Sequence, residues 1–266
     1  EAFKFIFWWE WAHRFLARTV GFVFAIPFLY FAFRRQIPAG MSWKLAGLFA
    51  LGGLQGAIGW YMVSSGLIDR VDVSHYRLAL HLTVAFLIFA LLLWAAWSLL
   101  PREDLRVTRP AAIRHRRVAG LLLALIFLQV VLGALVAGMK AGLTHNTWPL
   151  MDGALIPDGL WVMSPWYLNP FENATTVQFN HRMVAYLIVV GVLWQAVAVM
   201  RADDFRLAPS AFALAAGVLV QAALGIWTLL AHVPLSLGLA HQGVAAVVTG
   251  IAAWHLFLAT RRGTIA

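Results

Sequence analysis

Four histidines recur at related places in the apolar segments of this sequence. His13 and His181 each open the pattern His-Arg-x-x-Ala, and His81 and His241 each follow a short run of Leu, Ala and Gly. Imidazole is a ligand of haem iron, zinc and copper. Two histidines from neighbouring helices can hold one haem between them, whereas zinc or copper usually takes a further His, Cys or carboxylate. The pattern therefore favours two bis-histidine haem sites, one in each half of the chain.

The depth of these four residues supports that interpretation. Each lies five to nine residues into its apolar segment, which places it roughly 8–13 Å below the membrane surface if the segment is helical. Ionisable residues at such depth are costly and usually functional. The structural alternative is that each imidazole only bonds a facing helix. We expect the other histidines to be solvated or interfacial; they are His75, His115, His145, His232 and His255.

The two halves differ at one position beside the first histidine of each pair. Glu10 precedes His13 by three residues and so shares its helix face, while Gln178 occupies the matching place before His181. Because one site has a carboxylate and the other does not, we expect the first site to carry out the chemistry and the second to serve it. We expect Glu10 to accept a proton or to stabilise developing positive charge. The alternative is an ion pair with Arg14 that only neutralises charge.

Arginines lie near the same ends of the histidine helices. Because guanidinium matches a carboxylate bidentately, they are candidates to bind haem propionates. Anchoring at the membrane interface is an equal alternative. The residues are Arg14, Arg18, Arg77 and Arg182.

The composition indicates the elements that must position these side chains. The 266 residues are 62% hydrophobic and 12% charged, against about 45–50% and 25% in soluble domains. This nearly excludes soluble enzymes and nucleic-acid-binding modules, and no nucleic-acid partner is expected despite the net charge of +9. The absence of Cys excludes disulfides, thiolate haem ligands and iron–sulfur clusters.

Seven apolar runs are long enough to cross a bilayer as helices. Basic residues concentrate in alternate connections, so the positive-inside rule places the N-terminus of this chain outside and its C-terminus in the cytoplasm or the matrix. The loop 139–176 then lies outside, as either an ordered cap or a functional lid. The runs are 5–33, 45–66, 76–100, 118–138, 177–200, 209–230 and 236–260, and the turn 67–75 joins the second and third.

An internal repeat predicts the architecture. The motif Gln-x-x-x-Gly occurs at Gln55, Gln129 and Gln221 on helices that alternate with histidine helices, and we interpret it as a helix-packing element. The pattern lacks one helix, so we expect an eighth before residue 1; a seven-helix protein is the alternative. The predicted fold is an all-α integral membrane protein of two pseudo-repeated four-helix bundles. Its parts are an N-terminal bundle 1–100, a linker 101–117 and a C-terminal bundle 118–266.

Three stretches together resemble one protein family. They are E-A-F-K-F-I-F-W-W-E-W-A-H-R at 1–14, A-G-L-T-H-N-T-W-P-L-M-D-G at 141–153 and F-N-H-R-M-V-A-Y at 179–186. In this combination they are similar to haem A synthases, and the resemblance covers essentially the whole chain. The match is closest to the mitochondrial and alphaproteobacterial branch, which lacks the loop cysteine pair of some bacterial relatives.

The resemblance implies an oxidoreductase of two four-helix bundles. His181 and His241 would bind a haem b cofactor, and haem O would be the substrate near His13 and His81. Its C8 methyl group would be oxidised through hydroxylated intermediates to the formyl group of haem A, which serves cytochrome oxidase. The family's carboxylate falls on Glu10. The resemblance also implies a bacterial plasma membrane or mitochondrial inner membrane, and candidate partners in haem O synthase, oxidase assembly factors and a second copy of the chain.

Two other functions stay open from the residues alone. A di-haem, cytochrome-b-like electron carrier would use all four histidines as permanent iron ligands and would not need Glu10. A haem-binding assembly scaffold would bind haem O and return it unchanged.

Overall fold

The computed structural model describes residues 2–64, 73–100, 106–202, 204–261 and 263–265, with side chains from residue 7 onward outside 64–72, 101–110 and 262–266. Most of the predicted turn 67–75 and the start of the linker 101–117 lie outside these residues. Seven long helices dominate the described part. They are α1 (Ala2–Phe33), α2 (Met41–Ser64), α3 (His75–Trp97), α4 (Arg109–Gly138), α5 (Ala174–Arg201), α6 (Ala208–Leu230) and α7 (Leu235–Thr260).

Each of the seven helices contains a stretch long and apolar enough to cross a membrane. Their apolar side chains point outward as well as inward, which a bilayer tolerates and water does not. Trp43, Val190 and Val247, for example, are all more than half exposed. The prediction of an all-α, multi-pass membrane protein is therefore confirmed.

Helices α4 to α7 form a closed ring of four. Neighbours pack in the order α4–α5, α5–α6 and α6–α7, and α7 returns to α4. Small and branched residues such as Val192, Leu214 and Ala252 fill the middle of this ring and are almost wholly buried. This arrangement gives the second half of the chain a buried apolar core of its own.

Helices α1 to α3 form the first half. Helix α1 packs along α2, α2 packs on α3, and α3 packs on both α4 and α7. Phe24 of α1 stacks on Phe49 of α2 with ring centroids 6.1 Å apart. The span of α1 has none of its residues buried. Helix α3 therefore connects the two halves, whose division into 1–100 and 118–266 stays a prediction.

The end of the helices that carries residues 139–173 is called the loop end here, and the opposite end the basic end. At the basic end, Arg106–Thr108 and Gly263–Ile265 pair as two short parallel strands, β1 and β2. Helix α4 begins at Arg109, within the predicted linker, rather than at residue 118. His115 is consequently a helical residue and is fully buried.

Candidate functional site

A cavity of about 580 Å³ lies among helices α4 to α7 and extends to α3, towards the loop end. Its volume falls within the range of about 300–1,000 Å³ typical of ligand pockets. The walls are mainly Leu, Ile, Val, Ala and Gly, and His181 of α5 and His241 of α7 both line them. The sequence-predicted pair of the second half therefore meets at one apolar chamber.

His181 is held against helix α4 by two residues of one Gln-x-x-x-Gly motif. The side-chain amide of Gln129 donates to the carbonyl oxygen of His181 at 3.0 Å, and its nitrogen lies 3.3 Å from the ring Nε2. A Cβ atom added at Gly133 would lie 3.1 Å from the ring Cε1. The glycine therefore lets the imidazole lie directly against the backbone of α4.

His241 has the same surroundings on helix α6. Gln221 donates to the His241 carbonyl oxygen at 3.0 Å, and its amide nitrogen lies 3.2 Å from the ring Nδ1. A Cβ atom at Gly225 would come within 2.8 Å of the ring Cε1. Any side chain at this position would have to displace the imidazole.

His81, in the first half, repeats this arrangement against helix α2. Gln55 donates to the His81 carbonyl oxygen at 2.9 Å, and a Cβ atom at Gly59 would lie 3.0 Å from the ring Cε1. The interpretation of Gln-x-x-x-Gly as a helix-packing element with an interhelical hydrogen bond is thus confirmed. The partner in each case is one of the four predicted histidines.

His13 and Glu10 lie on helix α1, where the side chains are largely exposed. His13 is close enough to His81 for an electrostatic interaction, as His241 is to His181. His181 and His241 also line one cavity, whereas the pairing of His13 with His81 at a haem stays a prediction. Glu10 accepts a hydrogen bond from Arg14 one turn later on the same helix. The ion pair that was the alternative interpretation of Glu10 is therefore present.

Only one of the four predicted arginines lines the cavity in the described part of the chain. Arg182 is 8% exposed, and its Nε atom is buried without a hydrogen-bond partner at the cavity wall. Arg77 lies over the ring of Tyr61 at 4.3 Å, and Arg18 is exposed. Arg14 pairs with Glu10. Arg182 is thus the one of these four arginines whose position at the cavity wall fits the predicted propionate contact, which stays a prediction.

The long loop at this end is folded, and helix α5 fastens it. The two terminal nitrogens of Arg182 donate to the carbonyl oxygens of Thr147 and His145 at 2.9 and 2.8 Å. Gln178 donates to the same His145 carbonyl at 3.0 Å, while its own Oε1 is buried without a partner at the cavity wall. Trp148 of the loop also lines the cavity. The loop is therefore an ordered cap over the chamber.

A hydrogen bond within the cap joins His145 to Asp152. The ring Nδ1 and the carboxylate oxygen are 2.7 Å apart, and Thr147 also bonds the carboxylate. The hydrogen bond from His145 is the main reason why the pKa of Asp152 lies below its ordinary value.

This half contains a second buried polar group that was not predicted from the sequence. His115 and His255 were expected to be solvated or interfacial, and that expectation is wrong, because both are fully buried near the basic end. His255 bonds Gln195 at 3.1 Å and Ser210 at 2.9 Å. His255 and Gln195 follow His241 and His181 by about four helical turns, so each shares the face of the earlier histidine. This spacing is the sequence signal from which the buried positions of His255 and Gln195 could have been predicted.

The donor set fits haem. The described residues contain no group of three or more His, Asp or Glu side chains placed around one ion. They contain instead two imidazoles on an apolar chamber, with the buried Nδ1 of His181 unbonded and a buried guanidinium at the wall. An apolar macrocycle with two axial positions and anionic edge groups matches these features.

The chain is similar to known proteins over almost its whole length. The chain is 51% identical over 256 residues to the heme A synthase of Parvibaculum lavamentivorans, with 96% of this chain and 72% of the relative covered. It is 52% identical over 260 residues to that of Mesorhizobium japonicum and 52% over 256 residues to that of a Chelativorans species, covering 69% and 70% of them. The profile of the cytochrome oxidase assembly proteins matches residues 1–253. This chain belongs to the cytochrome oxidase assembly protein family.

Proposed function

We propose that this protein is a haem A synthase, an oxidoreductase that converts haem O to haem A. The observation that carries the proposal is the pairing of His181 with His241 on one apolar chamber, in a chain about half identical to three proteins of that name. The first half presents a second histidine pair with a carboxylate, and the second half lacks that carboxylate. One half therefore suits a reacting substrate and the other a resident cofactor.

The resident cofactor of the proposal is haem b, bound in the α4–α7 ring. His181 and His241 are its iron ligands, and Arg182 contributes its free Nε–H to a propionate. When bound, this haem supplies one-electron oxidation and reduction. Trp148 and Leu143 of the folded cap line the chamber at its loop end, and the cap would limit the access of water to a bound haem.

The substrate of the proposal is haem O, bound in the first half near His13 and His81. Its C8 methyl group is hydroxylated twice; with water as the oxygen source, each hydroxylation takes up one H2O and releases two protons and two electrons, which an external electron acceptor must remove. The resulting geminal diol loses water to leave the formyl group. Each oxidation releases protons at the reacting carbon, and Glu10 is the carboxylate on the face of His13 that accepts one or stabilises positive charge there. The substrate and product are both amphiphilic haems, so the bilayer is the medium that delivers and receives them.

The orientation of the proposal follows the positive-inside rule. The chain would place its N-terminus and the loop end outside and its C-terminus in the cytoplasm of a bacterium, since the connections at the basic end carry most of its Lys and Arg. A bacterial plasma membrane fits the bacterial sources of the relatives. Haem O synthase, oxidase assembly factors and a second copy of the chain are its proposed protein partners.

The test is conversion of haem O in membranes that contain the protein and no other haem A synthase. Haems are extracted after expression and separated by chromatography into B, O and A. We expect haem A in these membranes and haem O alone in membranes without the protein. Haem O that comes back unaltered would contradict the proposal and favour a scaffold; haem B alone, reversibly reduced in both halves, would favour an electron carrier.

A further inference from the structure

Three of the four predicted haem-binding histidines share one local structure that the reaction does not itself require. In each case a Gln on the neighbouring helix donates to the histidine carbonyl at 2.9–3.0 Å. In each case a Gly one turn later faces the edge of the ring. The unit is called the Gln–Gly clasp here. Its members are Gln55 and Gly59 on His81, Gln129 and Gly133 on His181, and Gln221 and Gly225 on His241.

The chemistry of the clasp bears on the ring as well as on the backbone. A Gln amide has two N–H donors. One is used on the histidine carbonyl, and the amide nitrogen also lies 3.2–3.4 Å from a ring nitrogen in all three copies. The carbonyl bond fixes the depth and rotation of the histidine backbone, and the glycine limits the ring to one side of the neighbouring helix.

We propose that Gln129 and Gln221 are positioning residues that set the orientation of the two imidazoles on haem b, and that Gln55 does the same for His81 towards haem O. This inference rests on the proposed function. A haem between two histidines responds to the plane of each imidazole, because the orientation of the axial ligands affects the electronic structure of the iron. The clasp therefore affects the electronic properties of the haem as well as its affinity.

A buried Gln of the same ring that belongs to no clasp provides a matched control. Gln195 is 1% exposed and its amide nitrogen lies 3.1 Å from the Nε2 atom of His255, so it makes a comparable contact. It lies towards the basic end and does not line the cavity, and the residue one turn later is Val199 rather than glycine. A change at Gln195 removes a buried amide from the ring of helices without touching a clasp.

The experiment replaces each glutamine by methionine, which keeps the length and volume and removes the donors. Full-length Gln129→Met, Gln221→Met and Gln195→Met proteins are purified in detergent with their haem b. The midpoint potential of the haem and its low-spin electron paramagnetic resonance signal are compared with those of the unchanged protein. We expect the midpoint potential and the resonance signal to shift in Gln129→Met and Gln221→Met. We expect neither to shift in Gln195→Met.

Two results would overturn the inference. One is an unchanged potential and resonance signal in both clasp variants, and the other is an equal shift in Gln195→Met. Loss of haem b from a monodisperse clasp variant supports it, provided that Gln195→Met retains the haem. If a methionine variant aggregates, the glutamine at that position is replaced by asparagine instead. The asparagine side chain keeps an amide but is too short to reach the histidine carbonyl. The potential and the resonance signal of this variant are then compared in the same way.

The failure of the proposed function has a different signature. The assignment of the haem b site would be contradicted if the protein without substitutions contained no haem b. It would also be contradicted if the His181→Ala variant kept its haem b. Neither result depends on the glutamine variants. Haem b that depends on His181 but is indifferent to Gln129 and Gln221 would contradict the clasp alone.

Discussion

The ring Cε1 atom of His241 lies 2.8 Å from the point that a Cβ atom on Gly225 would occupy. Real Cβ atoms essentially never come so close to another atom, so the glycine is a condition for the observed position of the imidazole. The corresponding distances from Gly59 to His81 and from Gly133 to His181 are 3.0 and 3.1 Å, which are tight contacts that an added Cβ could make only if the ring shifted slightly. The place of each histidine is thus determined by a residue on another helix.

Gly225→Ala is therefore expected to weaken the binding of haem b. Overpacking a tight contact typically costs about 1–3 kcal/mol, which corresponds to a loss of about 5- to 150-fold in affinity. The control is Gly217→Ala on the same helix, where the added Cβ would meet Val248 at an ordinary 3.4 Å. Haem b per protein is measured in both. Equal haem content in the two variants would contradict the steric argument.

Glu10→Gln is expected to keep the fold and haem b while the yield of haem A falls and haem O or a hydroxylated intermediate accumulates. Loss of a general acid–base group typically lowers a rate by about 10²- to 10⁴-fold. Glu10 and Arg14 are 41% and 53% exposed, so removing one leaves no charge buried in protein. Extracted haems are separated by chromatography.

The double variant Glu10→Gln with Arg14→Gln separates this role from simple charge neutralisation. If Glu10 only balanced Arg14, removing both charges would restore haem A. We expect no recovery in the double variant. Normal haem A from either Glu10 variant would refute the proposed role.

Arg182→Met is expected to loosen the cap and to lower the haem b content. The variant loses two hydrogen bonds from a charged donor to the carbonyls of His145 and Thr147, each worth about 1.5–3 kcal/mol. Hydrogen exchange in residues 139–173 should accelerate at least about tenfold, since 1.4 kcal/mol is a factor of ten. Arg201→Met, at the exposed basic end of the same helix, is the control. Unchanged exchange in Arg182→Met would contradict the anchoring.

The His145–Asp152 contact predicts how the cap responds to pH. Because the pKa of Asp152 is lowered in the folded protein by the hydrogen bond from His145, its carboxylate stabilises the cap above its ordinary pKa of 3.8. That contribution disappears as the pH falls through the lowered value. Thr147 bonds the same carboxylate and Arg182 lies near it, so both favour its charged form as well.

Limited proteolysis of the cap between pH 3 and 7 is the corresponding measurement. Cleavage should rise only at the acid end of this range in the unchanged protein. In Asp152→Asn this acid-dependent rise should be smaller. An identical pH profile in the two proteins would show that the contact does not hold the cap.

Much of this arrangement could be predicted from the sequence because it depends on local periodicity. The helices follow from long apolar runs, and the two histidine pairs follow from repeat-related positions such as His13 and His181. The partner of a Gln-x-x-x-Gly motif could not be predicted, since the spacing of Gln129 and Gly133 defines a helix face but not the side chain that meets it.

The basic end shows a second feature that could not be predicted from the sequence. The arginines around His115 resemble a solvated loop, yet helix α4 begins at Arg109 and buries His115 completely. Long basic side chains can extend towards water from a helix whose opposite face is packed. The strands β1 and β2 have three residues each, too few for a recognisable alternation.

The division of labour between the halves is the central claim, and haem extraction from His181→Ala and His81→Ala tests it most directly, since both residues are held by equivalent clasps. We predict that His181→Ala loses haem B, while His81→Ala keeps haem B and loses haem A. Equal loss of one haem type from both variants, or haem B retained in both, would contradict the assignment of a cofactor half and a substrate half.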